Sequence, residues 1–209
     1  MYTIVFTLVA YLIGSLSFAV IISKLFRLPD PRSFGSRNPG ATNVLRTGKK
    51  LAAALTLLGD ATKGWAAVFL AQHFAPAYGA DEYAIAAVML AVFIGHVYPV
   101  FFRFQGGKGV ATALGILLAL NLWLGLCVLA TWALAAYMWR VSSLSALIAA
   151  ALAPLYAVML FGFGIFTGTV LVLSLLLIWR HKSNIRNLLS GKENLISQGA
   201  DRAGDMPPE

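Results

Sequence analysis

Three glycines, a lysine and a threonine stand together in the order Gly106, Gly107, Lys108, Gly109, Val110, Ala111, Thr112. Glycines let a backbone fold closely around a ligand, and successive N–H groups form an anion-binding concavity. An apolar, helix-prone run follows, which sets the glycines at a helix N-terminus, where backbone N–H groups favour anions. The chemistry that suits these residues is phosphate binding. A plain turn between helices, with Lys108 anchored among lipid headgroups, suits them equally, and spacing alone does not separate the two. A second polar stretch holds Gly35, Ser36, Arg37, Asn38, Pro39, Gly40, Asn43 and Arg46. It is dense in turn formers and hydrogen-bonding side chains, and Asn43 is placed to cap a short helix carrying Arg46. Ser143 follows Arg140 in a short polar turn, and a basic segment near the C-terminus holds His181, Asn184 and Glu193.

The elements that position these residues are membrane spans. The chain has 209 residues, 59% of them hydrophobic and 11% charged, where a soluble domain carries roughly 25% charged residues. The net charge of +8 raises nucleic acid as a partner, but the basic residues alternate with apolar spans and form no continuous face, so none is expected. A single cysteine, Cys127, excludes an intrachain disulfide and a cysteine-rich metal site. The three histidines show no metal-binding pairing, so neither metal nor cofactor is expected.

Seven apolar segments are long enough or nearly long enough to cross a bilayer. They run over residues 3–26, 51–74, 83–102, 110–120, 123–139, 144–161 and 165–179, with the boundaries between 110 and 140 least defined. The expected fold is therefore an all-α integral membrane protein of about seven transmembrane helices. One domain spans residues 1–196, followed by a polar tail, 197–209, expected to be disordered. Alternating sides places 24–50, 103–108, 140 and everything from 180 onward together, and that side holds every Lys and Arg except Lys63. By the positive-inside rule this side is cytoplasmic, the N-terminus outside and the C-terminus inside. The polar stretches then converge on one cytoplasmic pocket with apolar walls beneath it, suited to a phosphorylated small molecule and an acyl chain.

Two charges lie inside the second span. Asp60 and Lys63, at spacing i, i+3, share a helix face and can neutralise each other. They read as a structural pair supporting the site, with direct ligand contact as the alternative. His96, near Pro99, reads as a packing or capping residue. Taken singly, Ser36, Asn38 and Asn43 are ordinary turn and cap residues, and His181 a headgroup-facing one. Their co-occurrence on one side is what marks them.

The segments 35–46, 95–112 and 181–193 resemble, in order, three signatures of the bacterial membrane glycerol-3-phosphate acyltransferases of the PlsY type. The resemblance covers nearly the whole chain. It implies transfer of a fatty acyl group from acyl-phosphate to the 1-hydroxyl of glycerol 3-phosphate, giving lysophosphatidate and phosphate, the first acylation of phospholipid synthesis. It implies an enzyme of the bacterial inner membrane with its active site facing the cytoplasm, supplied by a soluble acyl-phosphate-forming enzyme that is also a candidate contact. Ser36, Asn38, Gly106, Gly107, Lys108 and Gly109 would hold the acyl-phosphate. Arg46, Lys108, Ser143, His181 and Asn184 would bind glycerol 3-phosphate, and Ser36, Arg46, Lys108, His181 and Asn184 would serve catalysis. Asn43, Asp60, Lys63 and Glu193 would support them, Glu193 by holding a cation or backbone group. His181 suits a general base by its ordinary pKa, but a substrate phosphate taking the proton is the favoured route.

Other templates fail. No His is followed four residues later by Asp, as the common glycerolipid acyltransferases require. Phe102 and Gly109 occupy two required positions of a Walker A loop, and no Gly-x-Ser-x-Gly elbow occurs. The main rival function is a transporter or channel for an anionic solute, which predicts polar features on both sides and near the midplane; only Asp60 and Lys63 speak for it. A scaffold binding acidic lipids leaves the clustered glycines, asparagines and hydroxyls unaccounted for.

Overall fold

The computed structural model describes residues 2–196 and is helical, with no strand among the described residues. The expected disorder of 197–209 lies outside the described residues. Ten α-helices follow one another: α1 (Tyr2–Gly14), α2 (Phe18–Leu25), α3 (Ala41–Leu45), α4 (Lys50–Phe74), α5 (Glu82–Val97), α6 (Val110–Leu120), α7 (Leu122–Trp139), α8 (Ser142–Phe161), α9 (Ile165–Arg180) and α10 (Lys182–Leu189).

The first span is not one helix. It breaks between α1 and α2 at Ser15–Ser17, where the expectation was a continuous segment. The freed groups find partners elsewhere: the Leu16 carbonyl accepts from Lys63 Nζ at 2.6 Å, and Ser15 Oγ accepts from the Val100 N–H at 3.3 Å. Broken helices survive in an apolar setting only when such groups are satisfied.

Small residues let the helices approach. A side chain on Gly64 would strike the Thr112 carbonyl and one on Gly115 the Ala61 carbonyl, locking α4 to α6; Gly14 and Gly95 meet Val92 and Tyr11 in the same way, locking α1 to α5. The core comprises Ala67, Val68, Val88, Met89, Val92, Phe93, Ile116, Leu124, Ala150, Val170 and neighbours from α4 to α9. Asn121 ends α6 and caps α7, its Oδ1 accepting from the Leu124 N–H at 3.1 Å.

Four stretches are long and apolar enough to cross a membrane: Tyr2–Leu25, Glu82–Phe102, Leu122–Trp139 and Ser142–Phe161. A fifth arises if α9 and α10, bent by 59°, count as one span. The helix α4 has the length, 25 residues, but carries Lys50, Asp60 and Lys63; α6 is apolar but has 11 residues.

Candidate active site

The polar loop before α3 is built around Asn43. Gly40, not Asn43, occupies the N-cap of α3. Asn43 sits inside the helix, buried, with Nδ2 donating to the Pro31 carbonyl at 2.7 Å and the Phe34 carbonyl at 3.2 Å, while Oδ1 accepts from the Ser36 N–H at 3.0 Å. The expected cap is thus replaced by a cross-loop brace. An asparagine amide satisfies two carbonyls and one N–H in a single residue, and that fixes where Ser36 stands. Asp30 and Arg32 pair at 2.6 Å, and Arg32 reaches the Phe102 carbonyl at 3.4 Å, tying this loop to the segment between α5 and α6.

The glycine turn between α5 and α6 faces two ways. Gly106 and Gly107 pack inward: a side chain on Gly106 would strike the His96 and Val97 carbonyls, and one on Gly107 the His96 ring. The Gly107 N–H donates to the His96 carbonyl at 3.2 Å, so it is occupied. Lys108, Gly109, Val110 and Ala111 instead line a cavity of about 240 Å³. Gly109 has φ +88° with the Phe93 ring where a Cβ would lie, a position only glycine fills without strain.

Sequence reasoning missed Arg180, which reads as the first residue of a basic tail. Its Nη2 donates to the carbonyls of Gly106 at 3.3 Å and Gly107 at 3.2 Å, and its guanidinium lies 5.6 Å from the Tyr98 ring centre. Both bonds come from one terminal nitrogen, which carries two N–H groups.

The polar mouth of the cavity is one connected network. Lys108 Nζ donates to Asn184 Oδ1 at 2.6 Å; Asn184 Nδ2 donates to Glu193 Oε1 at 2.6 Å; Ser143 Oγ donates to the same oxygen at 2.7 Å. Glu193 therefore holds an amide and a hydroxyl, where a cation or backbone partner was expected. The segment after α10 folds back over this point, with the Ile196 N–H donating to the Arg140 carbonyl at 2.9 Å. His181, at the α9–α10 junction, is buried, and its Nδ1 lies 2.8 Å from the Leu177 carbonyl. A carbonyl only accepts, so Nδ1 carries the proton and Nε2 holds the lone pair.

Ser36, Asn38, Asn43 and Arg46 line the cavity from the first loop, and Ser143, His181, Asn184 and Glu193 from the other side. Asp60 and His96 reach its wall from α4 and α5. Lys63 does not line it; it pairs with Asp60 at 2.8 Å. Below the mouth the walls are apolar, with Leu117, Val128, Leu129 and Trp132 facing Ala146, Ala150, Ala153, Val170 and Leu173. Burial pulls the Lys108 ammonium down to about 8, against the opposing pull of Glu193 and with help from Arg46 and Arg180. Burial likewise pulls His181 down to about 4, partly resisted by the Leu177 carbonyl. The cavity therefore has a polar mouth over apolar walls, with a neutral imidazole beside a low-pKa lysine.

A family model described as glycerol-3-phosphate acyltransferase matches residues 4–191. The chain belongs to the glycerol-3-phosphate acyltransferase family. A glycerol-3-phosphate acyltransferase of Janthinobacterium sp. (strain Marseille) is 63% identical over 196 residues, covering 94% of this chain and 98% of its own length. One from Herminiimonas arsenicoxydans is 61% identical over 194 residues, covering 93% and 95%. The crystal structure of PlsY, an integral membrane glycerol 3-phosphate acyltransferase, in its glycerol 3-phosphate form superposes with a TM-score of 0.86 at 35% identity, covering 93% of this chain and 96% of that one. Its lysophosphatidic acid form gives 0.85 at 34% identity, covering 93% and 95%. Membership in the glycerol-3-phosphate acyltransferase family makes the chain an acyltransferase of lipid biosynthesis and a multi-pass integral membrane protein.

Proposed function

We propose that the chain transfers a fatty acyl group from acyl-phosphate to the 1-hydroxyl of glycerol 3-phosphate, at the cytoplasmic face of a bacterial inner membrane, in the first acylation of phospholipid synthesis. The observation that carries this reading is the Lys108–Asn184–Glu193–Ser143 network set at the mouth of an apolar pocket. Acyl-phosphate is an activated mixed anhydride, so the protein's task is to position two anionic substrates and offset charge as it develops. The glycerol oxygen attacks the acyl carbon, the carbon–oxygen bond to phosphate breaks, and phosphate departs with the electron pair. Lys108, Arg46 and the N–H groups opening α6 face that phosphate, with Ser36 and Asn38 beside them. Gly106 and Gly107 act by shaping the turn that presents Lys108 and Gly109. Ser143, His181 and Asn184 orient glycerol 3-phosphate. The hydroxyl proton passes to a substrate phosphate, and His181 binds as a neutral acceptor through Nε2.

The proposed topology has seven crossings, with the N-terminus outside and the C-terminus inside. It is supported by the charge asymmetry of the loops and by the internal pairing of Asp60 and Lys63, which makes α4 compatible with a membrane. The soluble enzyme that makes acyl-phosphate is the proposed supplier. The rival transporter reading drew on Asp60 and Lys63, and both are engaged with each other. Purified protein in vesicles decides between the two: phosphate release that needs both acyl-phosphate and glycerol 3-phosphate supports the enzyme, and solute uptake without release contradicts it.

A further inference from the structure

Three titratable groups are buried where the proposed chemistry uses none of them. Asp60 and Lys63 on α4 and His96 on α5 are 3%, 4% and 7% exposed. Lys63 Nζ pairs with Asp60 Oδ1 at 2.8 Å and donates to the Leu16 carbonyl at 2.6 Å. The same Asp60 oxygen lies 3.5 Å from His96 Nδ1. The Asp60 main-chain carbonyl accepts from Thr112 Oγ1 at 2.9 Å, so this residue also holds the first turn of α6. Charges this deep are costly even when paired, and a purely packing role would be served more cheaply by apolar residues of similar volume.

His96 connects the cluster to the site. Its carbonyl accepts the Gly107 N–H at 3.2 Å. Its ring, Nε2 foremost, fills the space that a methyl group on Gly107 would occupy. His96 Nδ1 faces the Asp60 carboxylate at 3.5 Å without forming a hydrogen bond, so burial and that charge together keep the ring in place, with Nε2 against Gly107. Arg180 holds the Gly106 and Gly107 carbonyls. The turn is thus fixed at its N–H and its Cα by His96 and at its carbonyls by Arg180, and Lys108 is the next residue along.

We infer that Asp60, Lys63 and His96 form a positioning device for acyl transfer: Lys63 and Asp60 lock the His96 ring, and that ring sets the place of Gly107 and so the reach of Lys108 into the cavity. This rests on the reading that Lys108 meets a substrate phosphate. The three act through the placement of Lys108 and not on the reacting atoms.

A suppressor experiment tests it. Gly107→Ala drives a methyl group onto the His96 ring, and kcat/KM for glycerol 3-phosphate is expected to fall about 100-fold, the scale of an ångström-sized misplacement. His96→Ala alone is expected to cost about tenfold, and the double variant to regain about tenfold over Gly107→Ala alone. Recovery stays partial because the Pro39 carbonyl lies 3.0 Å from the same methyl position. A double variant as slow as Gly107→Ala, or slower, overturns the inference. A second readout needs no acyl donor: labelling of Lys108 by an amine-reactive ester, followed by peptide mass spectrometry on folded protein. Labelling is expected to rise several-fold in His96→Ala, as Lys108 leaves Asn184, and to stay at the wild-type rate in His96→Gln, whose amide reaches the Nε2 position. Unchanged labelling in His96→Ala overturns the inference whichever donor the enzyme uses. The expected labelling shift in a protein inactive with acyl-phosphate would uphold the positioning role and remove only the donor assignment.

Discussion

Lys108 and Asn184 lie 76 residues apart and meet through a 2.6 Å hydrogen bond from Nζ to Oδ1. The bond ties the turn before α6 to the first turn of α10, so two of the four polar stretches share one anchor. Asn184 also donates to Glu193 at 2.6 Å, which orients its amide with the oxygen toward Lys108.

Because the pair acts as a unit, its losses should not add. Lys108→Met and Asn184→Ala are each expected to lower kcat/KM, and the double-mutant cycle to show a coupling of about 1.5–3 kcal/mol, the range for a hydrogen bond to a charged group. Steady-state kinetics on the four proteins measures it. Additive losses would show that the contact does not matter to turnover.

The pH profile follows from the same lysine. Burial lowers Lys108 from 10.5 to about 8, so the free enzyme loses this cation above about pH 8. Since kcat/KM reports the free enzyme, it is expected to fall there, and Lys108→Arg, always charged, is expected to lack that limb. The stability effect has the opposite sense. The native state releases the Lys108 proton before the unfolded state does, so stability rises between about pH 8 and 10.5. His181, lowered from 6.5 to about 4, is neutral in both states above 6.5, and its contribution weakens the fold as pH drops from 6.5 towards 4. No acid limb near pH 6 to 7 is expected from His181 in the free enzyme.

Arg180 holds two carbonyls of the glycine turn and lies over Tyr98. A lysine lacks the planar guanidinium that lies over the Tyr98 ring. Arg180→Lys is therefore expected to raise KM for glycerol 3-phosphate about tenfold, equivalent to about 1.4 kcal/mol, with a smaller change in kcat. Equal kinetics in the two proteins would remove Arg180 from the site's support.

His181 is buried, neutral and tied through Nδ1 to the Leu177 carbonyl. A base with a pKa of about 4 is weak at pH 7. His181→Gln, measured at saturating glycerol 3-phosphate, is expected to keep kcat within about tenfold and to lose mainly in KM. A general base contributes about 100- to 10,000-fold, and a kcat loss of that size would return the proton to His181.

The helices were legible because apolar runs bounded by Pro, Gly and charge leave few alternatives. The apolar segments read from the sequence at 51–74 and 110–120 lie within or coincide with α4 (Lys50–Phe74) and α6 (Val110–Leu120). The break at Ser15–Ser17 was not legible, since its freed carbonyl is satisfied by Lys63, 47 residues away. Asn43 looked like a cap because local spacing favours that reading; its partners at Pro31 and Phe34 depend on how the whole loop folds. Gly106 and Gly107 suggested a cradle by composition, yet the direction they face is set by His96. Arg180 was hidden among basic residues of the tail, and only its neighbour His181 hinted at a role.

The donor is the centre of the account, and turnover by the purified protein tests it most directly. Acyl-phosphate, acyl-CoA and acyl carrier protein thioester are each supplied with glycerol 3-phosphate, and both 1-acyl-glycerol 3-phosphate and free phosphate are measured. The account predicts product from acyl-phosphate alone, with one phosphate released per ester formed and none without glycerol 3-phosphate. Product from a thioester, with acyl-phosphate left intact, would contradict it.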